Sequence, residues 1–304
     1  MSTETEAKHA PEAVRRILEG QGYVADTRTA TVAYLAGALD RPLLIEGPAG
    51  VGKTELGVAL AAAEGRELIR LQCYEGLDES KAVYEWAYGK QLLYVELLKD
   101  RLEEVTEGAT SLAEAARRVG ELDDVFFSER FLLPRPLLRA IRCEGPALLL
   151  IDEVDKAEPE FEALLLEVLA DFALSIPEVG TVKATRRPRV VLTSNDSREL
   201  SDALRRRCLH LFLDFPTPER EEEILRSRIP GLEAGLAASI AAHVARIRTL
   251  DLRKLPSVAE TIEWARALLL LGGDALEPQL VRDTLDVLLK HEEDRDQVVS
   301  LKIG

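Results

Sequence analysis

Eight consecutive residues near position 50 have the types and the spacing needed to hold a chain of phosphates. They match the pattern G-x-x-x-x-G-K-[S/T] and are Gly47, Pro48, Ala49, Gly50, Val51, Gly52, Lys53 and Thr54. Glycines let backbone N–H groups turn inward around phosphate oxygens, in conformations that larger residues avoid. Lys53 is placed to reach the β- and γ-phosphates, and the Thr54 hydroxyl to ligate Mg²⁺. The pattern therefore predicts a nucleotide-binding loop that opens a helix, whose N-terminal dipole also favours anions.

Two adjacent acids, Asp152 and Glu153, follow the apolar run 147–151, which Pro146 introduces. An acidic pair after a strand, taken alone, usually caps a turn or a helix. Ligands of open parallel sheets bind at the carboxyl ends of the strands, where these two acids would lie. With the glycine-rich loop upstream, the prediction is that Asp152 holds Mg²⁺ and that Glu153 orients and polarises an attacking water.

Further polar groups follow the apolar run 189–193. Asn195 either caps a turn or positions the lytic water beside a γ-phosphate. The consecutive cations Arg205, Arg206 and Arg207 either lie on a solvated surface or present one arginine to a neighbouring subunit. An arginine that enters a neighbour's site neutralises transition-state charge, which accelerates phosphoryl transfer by roughly 10³–10⁵ in measured cases.

The elements that would position these residues alternate between strand and helix. Short apolar runs predict strands at 43–45, 68–71, 147–151 and 189–193, with helices between them. This order predicts an α/β fold, in which a parallel sheet is sandwiched by helices. Beyond residues 215–218 the sequence predicts helices only, one of them opened by a capping box of Ser257 and Glu260. We therefore predict an α/β domain at 1–215 and a small all-α domain at 216–304, with the charged stretch 291–297 as a solvated end.

Composition narrows the setting and the partners. The 304 residues include 39 basic and 54 acidic side chains, a formal net charge of −15, which disfavours nucleic acid and anionic lipid as general partners. The three cysteines, Cys73, Cys143 and Cys208, fit neither a disulfide framework nor metal-ligand spacing and indicate a reducing cytoplasm. No apolar run approaches the roughly 20 residues that cross a bilayer, and the N-terminus lacks a signal-peptide core.

Taken in order, these elements resemble the AAA+ ATPases, and within them most closely the CoxD-like branch of the MoxR family. The likeness rests on the segments 44–55, 71–78 and 131–138. The resemblance implies that Lys53 and Thr54 belong to Walker A, Asp152 and Glu153 to Walker B, and that Asn195 is sensor 1. It places the finger at Arg207, with Arg206 as the alternative. It also implies a helix-2 insert at 74–88 and a pre-sensor hairpin at 173–189.

The same resemblance extends the nucleotide site to Glu55 and to an adenine pocket at Tyr23 and Val24. One departure is visible near Pro256, where the family's lid arginine, sensor 2, should lie and none is found. Arg253 or Lys254 substitutes for it, or the role is missing.

For function, the resemblance implies an ATP hydrolase acting at the subunit interfaces of a ring, expected to be a hexamer. Its cofactors would be ATP and Mg²⁺, its partner a von Willebrand A-domain protein, and its client a molybdenum hydroxylase precursor of the carbon monoxide dehydrogenase type. One alternative is a nucleic-acid motor or loader, for which the basic stretch 183–189 is the main argument. Another is a nucleotide-gated scaffold that hardly hydrolyses ATP.

Overall fold

The computed structural model describes residues 2–97, 107, 108, 110, 111, 114, 129–177 and 179–301. The chain forms two compact units. The first unit comprises Met1–Gly65, Val191–Glu199 and Cys208–Gly304, and the second comprises Arg66–Val190 and Leu200–Arg207.

The described chain contains both strands and helices. The strands are β1 (Leu43–Glu46), β2 (Glu67–Gln72), β3 (Tyr84–Trp86), β4 (Leu132–Pro134), β5 (Ala147–Asp152), β6 (Ala173–Ile176), β7 (Gly180–Lys183), β8 (Arg189–Ser194) and β9 (Leu209–Phe212). The α-helices are α1 (Ser2–Gly20), α2 (Thr27–Ala38), α3 (Lys53–Ala63), α4 (Glu79–Ala82), α5 (Tyr88–Leu97), α6 (Pro136–Arg142), α7 (Pro159–Asp171), α8 (Asp202–Arg207), α9 (Pro218–Arg228), α10 (Ala234–Ile247), α11 (Val258–Leu270), α12 (Pro278–Leu288) and α13 (Glu292–Ser300). Short 3₁₀ turns cover Glu129–Phe131 and Val154–Lys156.

In the first unit, β1 lies between β8 and β9, and both pairings are parallel. Leu43 stands opposite Val191 on one side and Leu209 on the other, so the three strands reach the same edge together. All four residues of β1 are buried, as expected for a strand with a neighbour on each side. The sequence predicted β1 and β8, but not β9.

In the second unit, β2 and β5 pair in parallel, with Gln72 opposite Asp152. All six residues of β5 are buried, which explains the unbroken apolar run that predicted this strand. Two antiparallel pairs accompany them. β6 and β7 form a hairpin inside the predicted segment 173–189, and β3, inside the predicted insert 74–88, pairs with β4.

After residue 217 the described chain of the first unit, as far as Leu301, consists of helices joined by turns and loops, with no strand. Helices α9 to α13 bury a shared apolar core that includes Leu225, Ile240, Trp264 and Leu285. The predicted capping box is present, because Ser257 and Glu260 each accept a hydrogen bond from the backbone N–H of the other. The parallel α/β class with a C-terminal helical region, predicted from the sequence, is thus confirmed.

The predicted solvated end at residues 291–297 is borne out only in part. These residues make up most of α13, and Glu292, Glu293 and Asp296 are exposed, but one acid of the stretch is buried. Asp294 is only 2% exposed and accepts hydrogen bonds from the backbone N–H groups of Arg253 (2.8 Å) and Lys254 (3.1 Å). A buried carboxylate is tolerated here because two amides satisfy it. Among the helices of the described residues, none combines the length and the apolarity that a bilayer span requires.

Candidate active site

The glycine-rich loop connects β1 to α3 in the first unit. Gly47 follows the last residue of β1 with φ +148°, and a Cβ there would lie 1.9 Å from the carbonyl oxygen of Leu213. The backbone N–H of Leu213 in turn donates to Glu46 O at 2.8 Å. Gly52, in the left-handed conformation, precedes the first turn of α3. The loop therefore starts in a space that only glycine fits, and it ends at a helix N-terminus.

Lys53 lies beneath this loop. Its side chain is almost completely buried, and its ammonium donates to the carbonyl oxygens of Gly47 (2.7 Å) and Pro48 (2.6 Å). Thr54 follows in the first turn of α3 and is partly exposed. These groups fit a nucleotide with its metal: the loop offers backbone N–H groups and a fixed cation to phosphate oxygens, and Thr54 offers a hydroxyl to Mg²⁺.

Asn195 lies at the same sheet edge as the loop. Ser194, the last residue of β8, stands opposite Glu46, the last residue of β1. Gly47 therefore directly follows the end of β1, and Asn195 directly follows the end of the neighbouring strand β8. The turn beyond is tight, since Asp196 has φ +61° and its N–H donates to Ser194 Oγ at 3.0 Å. This geometry suits the predicted role of Asn195 beside a terminal phosphate.

Of the two predicted adenine-binding residues, Tyr23 borders the loop within the first unit. Tyr23 is buried, and its ring lies 3.7 Å from where a Cβ on Gly52 would be. Burial raises the pKa of Tyr23 to about 12, so its phenol stays neutral at physiological pH. The Val24 carbonyl accepts from Arg220 at 3.0 Å, and Glu55 forms an ion pair with Arg228.

Ser257 also contacts the loop, and sequence reasoning did not assign it to the site. A Cβ on Gly50 would lie 2.3 Å from Ser257 Cβ, and the backbone N–H of Val258 donates to Gly50 O at 3.2 Å. The capping box located the start of α11, but nothing in the sequence indicated what that helix end touches. Of the two proposed sensor 2 substitutes, Lys254 pairs with Glu260 at 2.8 Å, and the exposed Arg253 donates its backbone N–H to Asp294.

The second unit carries Asp152 at the end of β5. Its side chain is 2% exposed and forms an ion pair with Arg70 of β2. Gln72, opposite Asp152 in the sheet, precedes Cys73, whose backbone N–H donates to Asp152 O at 2.8 Å. Burial, with the Asp152 charge as the next contribution, raises the pKa of the Cys73 thiol to about 12. The carboxylate is of the oxygen-donor type that Mg²⁺ prefers, and Arg70 compensates its charge.

Glu153 follows in a strained backbone conformation, with φ +56°. Two neighbours orient its carboxylate: the Lys156 ammonium at 2.6 Å and the Gln72 amide nitrogen at 3.0 Å. Left-handed backbone at a non-glycine residue costs free energy and is concentrated at functional sites. The Glu153 carboxylate is thus held in a fixed orientation directly after Asp152. Gln72 and Arg70 were not among the predicted site residues, because their roles follow from strand register.

The candidate finger arginines end α8 in the second unit. Glu162, buried on α7, accepts the Ser201 N–H at 2.9 Å just before α8 begins. Arg206 and Arg207 are both exposed, and the Arg207 guanidinium donates to the carbonyl oxygen of Leu166. The second unit thus carries Asp152, Glu153 and the arginines, whereas the first unit brings together the glycine-rich loop, Tyr23, Val24, Glu55 and Asn195.

The sequence matches a family model and is similar to several known proteins. A family model described as the AAA domain (dynein-related subfamily) matches residues 42–208. Gas vesicle ATPase GvpN2 of Halobacterium salinarum is 27% identical over 214 residues, which are 67% of this chain and 56% of that protein. Protein NorQ of Paracoccus denitrificans is 27% identical over 222 residues, which are 71% of this chain and 67% of that protein.

A third relative, chaperone protein ClpB 2 of Parasynechococcus marenigrum, is 32% identical over 155 residues. That match covers 50% of this chain and 13% of the relative. The chain therefore spans little more than half of the gas vesicle ATPase and a small part of the chaperone. The family match itself covers more than half of the chain and includes both the glycine-rich loop and the acidic pair.

Proposed function

The chain belongs to the AAA domain family, dynein-related subfamily, and from that membership we propose that it binds ATP with Mg²⁺ and hydrolyses the ATP between subunits of a ring. The predicted likeness to the MoxR-type AAA+ ATPases is confirmed at the family level. The CoxD-like branch, the subunit number and the client are parts of the proposal.

The observation that supports this proposal most directly is the burial and hydrogen bonding of the Lys53 ammonium. A buried ammonium is costly unless it is paired or hydrogen-bonded. Here two loop carbonyls hold it, at 2.7 and 2.6 Å, directly below backbone that only glycine can form at Gly47. A structural lysine would normally extend to solvent or to a carboxylate. A cation fixed under a glycine loop at a helix N-terminus is suited to an anion with several phosphates.

Each residue has a proposed task. Bound ATP would supply the phosphoryl group, and a bound Mg²⁺ would neutralise part of the negative charge on the phosphates. Lys53 and the loop amides bind phosphate oxygens, and Thr54 and Asp152 hold the metal. Glu153 takes the proton of the attacking water, and Asn195 orients that water. Arg207, with Arg206 as the alternative, stabilises transition-state charge in the neighbouring subunit.

Nucleotide binding by Lys53→Met tests the proposal. We expect the ATP affinity to fall by at least about tenfold, because a charge-assisted contact to phosphate is lost. Lys290→Met is the matched control, since the Lys290 ammonium likewise donates to a backbone carbonyl, that of Val287. Isothermal titration calorimetry with ATP-Mg gives both values. Equal affinity in wild type and Lys53→Met would refute nucleotide binding by this loop.

We further propose that the ring, a hexamer, remodels a protein client with the help of a von Willebrand A-domain protein. The client would be a molybdenum hydroxylase precursor of the carbon monoxide dehydrogenase type. The motif segments 44–55, 71–78 and 131–138 support this assignment, and so does the relative that is named a chaperone. Addition of the purified A-domain protein should raise the ATPase rate, whereas an unrelated A-domain protein should not.

A nucleic-acid motor is the weaker candidate. The main argument for it is the basic stretch 183–189. Within this stretch Arg187 lies over the ring of Phe172, with 5.3 Å between the guanidinium carbon and the ring centroid. Arg189 is partly buried, and this burial lowers its pKa to about 10. Two of the four cations are therefore engaged with their own chain. DNA or RNA that stimulates the ATPase more than the A-domain protein does, with steep salt dependence, would favour the motor.

The remaining predictions complete the proposal. The catalytic domain would be 1–215 and the all-α lid 216–304. The setting would be cytoplasmic, which the three cysteines support, since Cys73, Cys143 and Cys208 are all free.

A further inference from the structure

The start of α11 is packed directly on the glycine-rich loop. Ser257, the N-cap of α11, contacts Gly50 closely enough that any side chain at Gly50 would overlap its Cβ. The backbone N–H of Val258 donates to the Gly50 carbonyl at 3.2 Å. This carbonyl belongs to the peptide that joins Gly50 to Val51. Its orientation therefore determines where the Val51 N–H, one of the expected phosphate donors, points.

A single buried arginine holds the segment that makes this contact. Arg248, which directly follows the last residue of α10, donates from Nε to the carbonyl oxygen of Pro256 at 2.8 Å. Its two terminal nitrogens bind both carboxylate oxygens of Glu221, at 2.6 and 2.8 Å. The side chains of Arg248 and Glu221 are 7% and 0% exposed. The guanidinium carbon also lies 4.5 Å from the ring centroid of Phe215.

The Arg248 guanidinium thus links Glu221 on α9, Phe215 just before α9, and Pro256 just before α11. It also donates to the Thr261 hydroxyl on α11 at 3.4 Å. Pro256 precedes Ser257, so the hydrogen bond from Nε fixes the backbone one residue away from the Gly50 contact. The hydrogen bonds to Pro256 and to both carboxylate oxygens of Glu221 require several donors in one plane. A guanidinium has them, and a lysine ammonium does not.

We propose that Arg248 is a positioning residue for nucleotide binding, which acts through Pro256 and Ser257 on the Gly50 peptide. The inference rests on the proposed function and deepens it, because it names a residue that holds the glycine-rich loop in place. Because Arg248 holds the Pro256 carbonyl, the start of α11 stays in place. The Val258 N–H then keeps its hydrogen bond to the Gly50 carbonyl, and this keeps the Val51 N–H oriented. Nucleotide binding should in turn stabilise the start of α11, since linkage is reciprocal.

The discriminating variant is Arg248→Lys. It keeps a positive charge beside Glu221 but loses the second donor that reaches Pro256. We expect the dissociation constant for ATP-Mg to rise about tenfold, and the thermal midpoint to fall as well, because a lysine makes fewer hydrogen bonds to the buried Glu221. We also expect ATP to slow amide hydrogen exchange across residues 256–261 in wild type but not in this variant. Arg246→Lys, on the exposed face of the same helix, is the matched control.

A second variant covers the case in which Arg248→Lys fails to fold. Arg248→Met/Glu221→Met replaces a buried ion pair by apolar side chains, a change that is often neutral for stability. It removes the Pro256 contact completely, so the same loss of affinity and of ATP-dependent protection is expected.

The outcomes separate the two proposals. Wild-type affinity and wild-type protection in the double variant would overturn the positioning role and leave the proposed function intact. Wild-type protein that does not bind ATP-Mg at all would overturn both. Weakened binding in the double variant at unchanged thermal midpoint, with normal binding by Arg246→Lys, would support the role of Arg248.

Discussion

The Lys254 ammonium lies 2.8 Å from one carboxylate oxygen of Glu260, the third residue of α11. The other carboxylate oxygen accepts the backbone N–H of Ser257, also at 2.8 Å. Lys254 therefore belongs to the hydrogen-bond network that caps α11. Its removal is expected to affect that cap and not the nucleotide.

We expect Lys254→Ala to change stability slightly and nucleotide affinity hardly at all. The ammonium is half-exposed, so its pair with Glu260 contributes about 0.2–1 kcal/mol. Urea unfolding measures the loss of stability, and titration calorimetry the affinity for ATP-Mg. A tenfold loss of affinity at unchanged stability would instead make Lys254 the substitute for sensor 2.

Glu260 provides a test by pH. Burial alone would raise the pKa of Glu260, but hydrogen bonds from Lys254 and Ser257 outweigh it and hold the pKa below its ordinary 4.5. Because the folded pKa is the lower one, the contribution of Glu260 to stability is complete above about pH 4.5 and is lost as the pH falls through the folded value.

Glu260→Gln should therefore cost about 1 kcal/mol at pH 7 and progressively less below pH 4.5. The free energies of unfolding of both proteins, measured by urea titration from pH 7 down to pH 4, give the difference directly. A difference that stays constant, or that grows in acid, would contradict the assigned contacts.

Gly47→Ala should destabilise the protein severely. The new Cβ would lie 1.9 Å from the carbonyl oxygen of Leu213, and the backbone at Gly47, with φ +148°, is unfavourable for alanine. Gly235→Ala is the matched control, since Gly235 lies in α10 with open space around it and should gain about 0.5–1 kcal/mol. Thermal unfolding compares the two. Similar midpoints for both variants would show that the loop does not pack on Leu213.

The elements that the sequence predicted well are those with local causes. β5 is an unbroken apolar run because every residue of it is buried. The capping box of α11 is a pattern of two residues three apart, and the loop after β1 is a pattern of eight. Chemistry and conformation are encoded within one short window in each case, so residue types and spacing suffice to predict them.

Other features depend on contacts between distant segments. β9 has four residues, of which only Leu211 is buried, too short for a period to be visible. The ion pair of Arg70 with Asp152 follows from the register of β2 on β5. Asp294 appeared to lie in a solvated tail because the amides that satisfy it are about forty residues away. Hydrophobic patterning carries no information about such pairings.

Glu153→Gln should bind ATP-Mg normally and lose turnover by about 10²–10⁴, the usual contribution of a general base. Glutamine keeps the size and can still contact Lys156 and Gln72, so the strained backbone should persist. Glu160→Gln, an exposed acid in the first turn of α7, is the control. Phosphate release under saturating ATP measures turnover. Full activity of Glu153→Gln would end its assignment as the base.

Subunit mixing tests whether the site is shared between neighbours. Arg207→Ala subunits should be inactive alone, because the transition-state charge is not neutralised. Lys53→Ala subunits should also be inactive alone, because they do not bind ATP. In a mixed ring some interfaces combine an intact Lys53 with an intact Arg207 from the neighbour, so activity should reappear. Arg206→Ala distinguishes the two candidates, since the arginine that does not act across the interface should leave the rate nearly unchanged. The ATPase rate is measured against mixing ratio, with ring assembly followed by light scattering. Assembled mixed rings that show no recovery for either arginine would place catalysis within single subunits.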